Sequence, residues 1–207
     1  MEAATTAPRK LDGEKAGRIV AAMRASVGAR GAAGSTFDVV AREAGVSRGL
    51  LHYYFGSKER LMVEVVRRDC DTFVAELEAS LGQATTVDEI IASLVQTLDA
   101  FVKGEPGTQA VIYEMLSASH HSEEIRAEMA ELYRTWRQHL AEALRQKEQE
   151  GVVKLAGDSE SVASLIFAIG DGLGLQMVSD KEWAREMSLD VATDTARHLL
   201  GGAARGA

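Results

Sequence analysis

The sequence predicts an all-α protein, and three observations support that fold class. Only two of the 207 residues are proline, Pro8 and Pro106. Long stretches repeat apolar residues at the three- and four-residue spacing of one helix face. The breaks between them carry glycine, or a serine or aspartate that can cap a helix, and no stretch is convincingly strand-like. A chain of this length can bury the core of one large domain or of two small ones.

The breaks predict about nine helices, of which the first three form an N-terminal head. The predicted helices run near residues 13–29, 37–44, 48–54, 57–81, 87–103, 108–118, 122–150, 159–178 and 184–201. We assign residues 1–60, which begin with a disordered arm, to the head, and residues 61–207 to a larger helical bundle. The fourth helix crosses the boundary without a flexible linker, so the two parts should be mechanically coupled.

Charge is divided unevenly along the chain. Residues 1–68 hold 12 Lys and Arg against 7 Asp and Glu, and the other residues hold 11 against 24, within a net charge of −8. A basic head on an acidic body suits a protein that presents one end to a polyanion. The single cysteine, Cys70, excludes an internal disulfide. We expect a cytoplasmic protein, because neither a membrane span nor a secretory signal is recognisable.

The stretch from Thr36 to Leu61, TFDVVAREAGVSRGLLHYYFGSKERL, has the layout of a helix-turn-helix. Gly45 ends one short helix, Ser47 is placed to cap the next, and a further helix opens at Ser57. In such a unit the second helix can lie in the major groove of DNA. The same geometry also occurs as plain packing, so the layout alone leaves both interpretations open.

Eight residues of this stretch are candidates for contact with DNA. Arg48, directly after the capping serine, is long enough to reach the O6 and N7 atoms of guanine or a phosphate. Lys58 lies beside free amides at a helix start, where phosphate binds readily. Gly49 exposes backbone and allows a close approach. The full set is Thr36, Arg42, Ser47, Arg48, Gly49, His52, Tyr53 and Lys58.

This stretch resembles the DNA-binding head of TetR-family transcriptional regulators. An apolar-Ala pair, Val40-Ala41, precedes Ala-Gly-Val-Ser, and an aromatic cluster leads into Ser-Lys-Glu-x-Leu. The likeness covers the first third of the chain. The run from Asp171 to Gln176 is similar to the dimer-forming helix of the BetI-like subgroup. His52 departs from the family pattern, which usually has a phosphate-contacting tyrosine at that position.

The resemblance implies a homodimer that binds a palindromic operator in double-stranded DNA and responds to a small molecule. We expect a repressor that is released by an apolar or aromatic effector. The alternative, from another class, is an acidic helical ligand-binding or scaffold protein whose head does not read DNA sequence-specifically. Activation in place of repression stays open, as do the effector and the operator sequence.

The acidic body carries large apolar side chains that suit a ligand cavity. Tyr133 and Trp136 lie on the apolar stripe of the predicted helix 122–150, and helical bundles build cavities between such helices. Methionine adapts to irregular apolar ligands. The candidate lining residues are Phe101, Met115, Met129, Tyr133, Trp136 and Phe167. Alternatively, these residues are simply the core of a bundle. Phe167 faces either the cavity or a subunit interface.

The predicted helix 159–178 contains several interior glycines, which cost stability unless close packing compensates. We interpret it, together with the helix 184–201, as half of a symmetric four-helix dimer interface. The candidate interface residues are Leu165, Ile169, Gly172, Leu173, Gln176, Val191 and Leu199. Packing within a single chain is the alternative.

Neither a metal site nor an active site is predicted. His120 and His121 stand near two glutamates, but adjacent histidines on a loop point apart and no third ligand has helical spacing to them. The motifs of serine hydrolases, phosphate-binding loops and dinucleotide-binding folds are missing. We therefore expect neither enzyme activity nor a cofactor. A redox role for Cys70 stays open.

Overall fold

The computed structural model describes residues 13–104 and 106–202. Every regular element within these residues is a helix, which confirms the predicted all-α class. In chain order the helices are α1 (Gly13–Gly34), α2 (Phe37–Ala44), α3 (Arg48–Phe55), α4 (Lys58–Gln83), α5 (Val87–Lys103), α6 (Pro106–Ser119), α7 (Glu123–Gln149), α8 (Ser159–Ser179), α9 (Trp183–Glu186) and α10 (Asp190–Leu199). The predicted N-terminal arm lies outside the described residues.

The last predicted helix, 184–201, is divided into α9 and α10. Met187 ends α9 with an extended backbone, at φ −68° and ψ 138°. The Oγ of Ser188 then accepts a hydrogen bond from the backbone N–H of Asp190 at 3.1 Å. Serine competes with helical hydrogen bonding in this way. The described residues therefore form ten helices, one more than the sequence indicates.

Packing groups the helices into two compact units. The first unit contains residues 13–69 and 106–130, which comprise α1 to α3, the first part of α4, α6 and the start of α7. The second unit contains residues 70–104 and 131–202. Both α4 and α7 contribute residues to both units. The predicted boundary between a head of residues 1–60 and a bundle of residues 61–207 separates two functions, not two packed units. That boundary stays a prediction.

Apolar side chains of α1 to α4 form the core of the head. α1 packs against α2 and α6, and α2 packs against α3. Gly31 interrupts α1 with a φ of +70°, close to the predicted end of the first helix. Fully buried core residues include Ile19, Met23, Val27, Val40, Leu51, Leu61 and Val65. Burial of each such side chain contributes about 1.5–3 kcal/mol to stability.

A buried ion pair lies where α1, α4 and α6 meet. The Nε of Arg24 donates to Oδ2 of Asp69 at 2.8 Å, and its Nη2 donates to Oδ1. The hydroxyl of Thr108 on α6 donates to the same Oδ2 at 2.8 Å. Asp69 is only 8% exposed. Its carboxylate therefore depends on these donors, because a buried charge without partners is very costly.

The core of the second unit lies between α4, α5, α7, α8 and α10. α5 packs against both α8 and α10. A capping box formed by Thr86 and Glu89 starts α5. Arg197 on α10 is buried and forms an ion pair with Asp88 in the first turn of α5. The buried apolar residues include Leu81, Ile90, Ile91, Leu140, Leu144, Val162 and Leu200.

Gly107→Ala should destabilise the protein. A Cβ at position 107 would lie 2.2 Å from the main-chain oxygen of Arg24. Overpacking of this kind costs about 1–3 kcal/mol in the free energy of unfolding. Gly17→Ala on α1 is the matched control, since no atom lies within 4 Å of a Cβ there. Denaturant unfolding measures both variants, and equal effects would contradict the close approach of α6 to α1.

Candidate nucleic-acid interface and ligand-binding region

α2 and α3 form a helix-turn-helix whose ends are fixed by local hydrogen bonds. The Oγ1 of Thr36 accepts from the backbone N–H of Val39 at 3.4 Å and starts α2. Gly45 ends α2 in the left-handed conformation, at φ 66°, which glycine adopts without steric cost. The Oγ of Ser47 accepts from the N–H of Leu50 at 3.2 Å and starts α3. The predicted bounds of α2 are confirmed, and α3 ends one residue later than predicted.

α3 directs one face to the core and the other to solvent. Leu51 is fully buried, whereas Tyr53 is 60% exposed. The predicted DNA-contacting residues that are exposed are Thr36, Arg42, Ser47, Arg48, Gly49, His52 and Tyr53. Lys58, the remaining candidate, is partly buried. The structure therefore leaves most of the predicted contact residues accessible to a partner.

Lys58 has a structural contact inside the head. Its Nζ donates to the main-chain oxygen of Ala32 at 2.8 Å, which joins the start of α4 to the end of α1. An ammonium group has further N–H donors, so this contact does not prevent a hydrogen bond to phosphate. Contact of Lys58 with phosphate stays a prediction.

Arg48, the predicted base-reading residue, is held by two other side chains. Its Nη1 donates to Oδ2 of Asp38 at 3.1 Å and to Oδ1 at 3.3 Å. Its Nε donates to Nε2 of His52 at 3.2 Å. Asp38 lies in the first turn of α2, ten residues away in sequence. Sequence reasoning missed Asp38, because no local pattern marks a contact between two helices.

The predicted ligand-binding residues divide between the two compact units. Met115 and Met129 belong to the first unit, and Phe101, Tyr133, Trp136 and Phe167 belong to the second. In the second unit, the rings of Tyr133 and Trp136 are 5.1 Å apart. Phe101 contacts Phe73 edge-on at 6.5 Å, and Phe167 packs against the apolar core. Tyr133 and Trp136 are thus the candidates that the structure brings into direct contact.

Polar groups accompany the pair formed by Tyr133 and Trp136. Trp136 is 6% exposed, and its Nε1–H has no hydrogen-bond partner among the described residues. Burial raises the pKa of the Asp171 carboxyl on α8, and a hydrogen bond from Tyr133 opposes that rise only in part. Asp171 as a whole residue nevertheless stays exposed to solvent. A buried N–H without an acceptor costs about 1–3 kcal/mol, which an acceptor atom of a ligand would remove.

A half-open cavity of about 280 Å³ lies beside α5 in the second unit. Its lining residues are Val95, Gln96, Leu98, Asp99, Ala100, Met177 and Leu189. None of the predicted ligand-binding residues belongs to this lining. Ligand pockets usually have volumes of about 300–1,000 Å³, so this cavity suits only a small molecule.

The outer face of α8 is apolar and has no partner among the residues that the structure describes. Leu165 is 51% exposed, Leu175 is nearly as exposed, and Val191 on α10 is 80% exposed. By length and composition α8 is able to cross a membrane, although Asp171 in its interior would be costly in hydrocarbon. An apolar patch of this kind indicates a covering partner.

Except for Gln176, the other predicted interface residues are more protected than these three. Ile169, Gly172 and Leu173 are partly buried, whereas Gln176 is exposed. Leu199 packs against the core of the second unit. The exposed face therefore consists mainly of α8 with one side of α10.

The described residues contain no group of three His, Cys, Asp or Glu side chains that is able to hold a metal ion. Cys70 is buried. Buried cysteine usually behaves as a small apolar residue. A redox role for Cys70 gains no support from its position.

Comparison with known proteins identifies both parts of the chain. The family described as bacterial regulatory proteins, tetR family, matches residues 19–65. The family described as BetI-type transcriptional repressor, C-terminal, matches residues 90–201, which are more than half of the chain. The chain belongs to the TetR family. The resemblance of the head and the BetI-like character of the C-terminal part are confirmed, and TetR-family proteins are transcriptional regulators, not enzymes.

Individual relatives of this TetR-family chain support the assignment. The HTH-type transcriptional regulator BetI of Rhizobium meliloti (strain 1021) is 31% identical over 147 residues, which are 71% of this chain and 70% of the relative. A transcriptional regulator from Saccharomonospora viridis in complex with choline has a TM-score of 0.68 at 24% identity, over 90% of this chain and 95% of its own. FadR from Bacillus subtilis in complex with stearoyl-CoA has a TM-score of 0.69 at 20% identity, over 88% and 96%. The two solved structures share the fold.

Trp136→Phe should change stability little, although the site is buried. The substitution removes an N–H that has no partner among the described residues, and it also removes part of the ring. These two effects oppose each other. Trp136→Ala is the comparison variant and should cost about 3–5 kcal/mol in the free energy of unfolding. Denaturant unfolding measures both. A phenylalanine variant as unstable as the alanine variant would show that the indole N–H does have a partner.

Proposed function

We propose that this TetR-family regulator is a repressor that binds a palindromic operator as a homodimer and leaves it when a small effector binds. The observation that carries the proposal is the exposed helix-turn-helix surface. There the capped helix α3 presents Arg48, Gly49, His52 and Tyr53 to solvent. Such a regulator works in the bacterial cytoplasm and, while it is bound to DNA, at the nucleoid.

The DNA step uses α3 as the recognition helix. Arg48 and Gly49 stand at its exposed N-terminal end, which is the part of a recognition helix that contacts base edges. The hydroxyl groups of Thr36 and Ser47, at the two helix starts, are able to donate to phosphates. Phosphate contacts fix the position of the head on the duplex, and Arg48 supplies the contact that distinguishes bases.

The dimer step uses the apolar face of α8 and α10. A second copy would cover Leu165, Leu175 and Val191, and burial of apolar surface contributes about 25 cal/mol per Å². Apart from its own helix backbone, a Cβ added at Gly170 or Gly172 would meet no atom of the described residues within 4 Å. Contacts within the chain therefore do not require glycine at these positions, whereas close approach of a second helix would. A two-fold dimer places two recognition helices on half-sites about 34–36 Å apart, or a multiple of that distance.

The effector step rests on the aromatic pair of Tyr133 and Trp136. Two neighbours in fold hold ligands as different as choline and stearoyl-CoA, so the fold by itself does not select an effector. In this chain an apolar or aromatic ligand with a hydrogen-bond acceptor would satisfy the unpartnered Nε1–H of Trp136. Choline and a long-chain acyl-CoA are the first two compounds to test.

Release requires that the effector bind better to a dimer whose heads are spaced differently. α4 is one continuous helix from Lys58 to Gln83 and contributes to both compact units. Within the first unit, Asp69 ties α6 to α1 and α4. A displacement of α4 or α6 would therefore act on the helices that read DNA.

Arg48→Ala should weaken binding to the operator by about 1–3 kcal/mol and relax base preference at one position of each half-site. The measurement is selection of bound duplexes from a random DNA pool by the parent protein and the variant. Arg18→Ala is the matched control. Like Arg48, Arg18 is an exposed arginine that forms an ion pair, and it lies on α1 of the same head. A variant that selects the parent motif unchanged would contradict the role of Arg48, and a parent protein that selects no motif would favour the non-DNA-reading alternative.

Leu165→Glu should convert the proposed dimer into a monomer, because it places a charge on the exposed apolar face. Light scattering coupled to gel filtration measures the mass in solution. Ala79→Glu is the control, since it adds the same charge at an exposed position near the end of α4. A Leu165 variant that keeps the mass of the parent dimer would show that the subunits meet elsewhere.

A further inference from the structure

We propose that Asp38 determines the DNA specificity of this protein, by orienting Arg48 and by accepting a hydrogen bond from cytosine. Asp38 and Arg48 would together read one G·C pair in each half-site. The inference rests on the proposed DNA binding and adds to it a residue and the class of base pair. Its basis is a contact between the first turn of α2 and the first residue of α3.

Two contacts fix the guanidinium of Arg48 before DNA is bound. The carboxylate of Asp38 accepts from Nη1 at 3.1 and 3.3 Å, and His52 accepts from Nε at 3.2 Å. Nη2 has no partner in the parts of the chain that the structure describes. The N–H donors of Nη2 therefore remain available to a base. The side chain that carries them is already oriented by Asp38 and His52.

His52 is itself held in place, so that it is able to orient Arg48. Its ring meets the ring of Phe37 edge-on, with centroids 4.8 Å apart and planes at 78°. Phe37 is buried in the core of the head. Because Nε2 of His52 accepts from Arg48, that nitrogen carries no proton in this arrangement and Nδ1 carries it. His52 thus connects Arg48, at the surface, to the buried ring of Phe37 in the core of the head.

An oriented arginine discriminates bases better than a mobile one. A free arginine side chain samples many rotamers, and binding must restrict them. In this head Asp38 and His52 supply part of that restriction before DNA is bound. Guanine, which offers O6 and N7 as acceptors in the major groove, is the base that suits these arginine donors.

The negative charge of Asp38 also contributes to the choice of base pair. The side chain is 66% exposed and lies beside the residue predicted to enter the groove. A carboxylate only accepts hydrogen bonds, and the N4 amino group of cytosine is the donor that carboxylates contact in the major groove. The same charge repels phosphate, which lowers affinity for unrelated DNA. Arg48 on guanine and Asp38 on cytosine therefore favour a G·C pair over the alternatives.

The test compares three proteins: the parent, Asp38→Asn and Glu14→Gln. Glu14→Gln removes the same charge from an exposed ion pair on α1 and leaves Arg48 untouched. Selection from a random pool first identifies the G·C pair whose definition is lost in Arg48→Ala. Dissociation constants are then measured for the selected duplex, for the same duplex with that pair changed to A·T, and for a scrambled duplex.

Asp38→Asn should bind the scrambled duplex more tightly than the parent does. Its preference for the G·C duplex over the A·T duplex should fall by about fivefold or more. Glu14→Gln should keep the parent preference. A merely structural role of Asp38 would weaken binding to all three duplexes alike, and that outcome would overturn the proposal.

An Asp38→Asn preference equal to that of the parent would also overturn the proposal, while the DNA-binding function would stand. A parent protein that selects no motif would overturn both. Circular dichroism of the three proteins confirms that a changed preference arises in a folded head.

Discussion

The buried contact between the guanidinium of Arg24 and the carboxylate of Asp69 is the constraint on which the first compact unit depends. Removal of one partner from a buried ion pair costs about 3–5 kcal/mol, so α1 and α4 are held where these charges meet. Thr108 completes the contact from α6, and Gly107 allows α6 to come close enough to α1. α6 therefore shares one packed unit with the helices of the proposed DNA-reading surface, and a proposed effector that displaced α6 would act directly on that unit.

The second constraint is the apolar face of α8, which the described part of the chain leaves uncovered. Only 17% of the most apolar stretch of α8 is buried. Apolar surface that stays exposed is costly in water. The proposed cover by a second copy would account for the exposed leucines and the interior glycines together. It also supplies what a helix-turn-helix regulator needs, which is a two-fold pair of heads at a fixed separation.

Features that depend on local chemistry could be predicted from the sequence. The start and end of α2 follow from Thr36 and Gly45, and the start of α3 follows from Ser47, because capping involves residues within one turn. The break at Ser188 was missed, since the apolar period continues through it. Contacts between helices were also missed: Asp38 meets Arg48, and Asp69 meets Arg24 from 45 positions away. The sequence signals which residues are exposed or buried, whereas tertiary packing decides which of them meet.

The most direct test of a dimer that reads DNA sequence is a titration of three synthetic duplexes, followed by fluorescence anisotropy. The first duplex carries both half-sites of the selected palindrome, the second carries one half-site beside a scrambled one, and the third is fully scrambled. We expect two chains per palindromic duplex and binding to the single half-site that is weaker by about tenfold or more. Equal affinity for all three duplexes would contradict a dimer that reads DNA sequence.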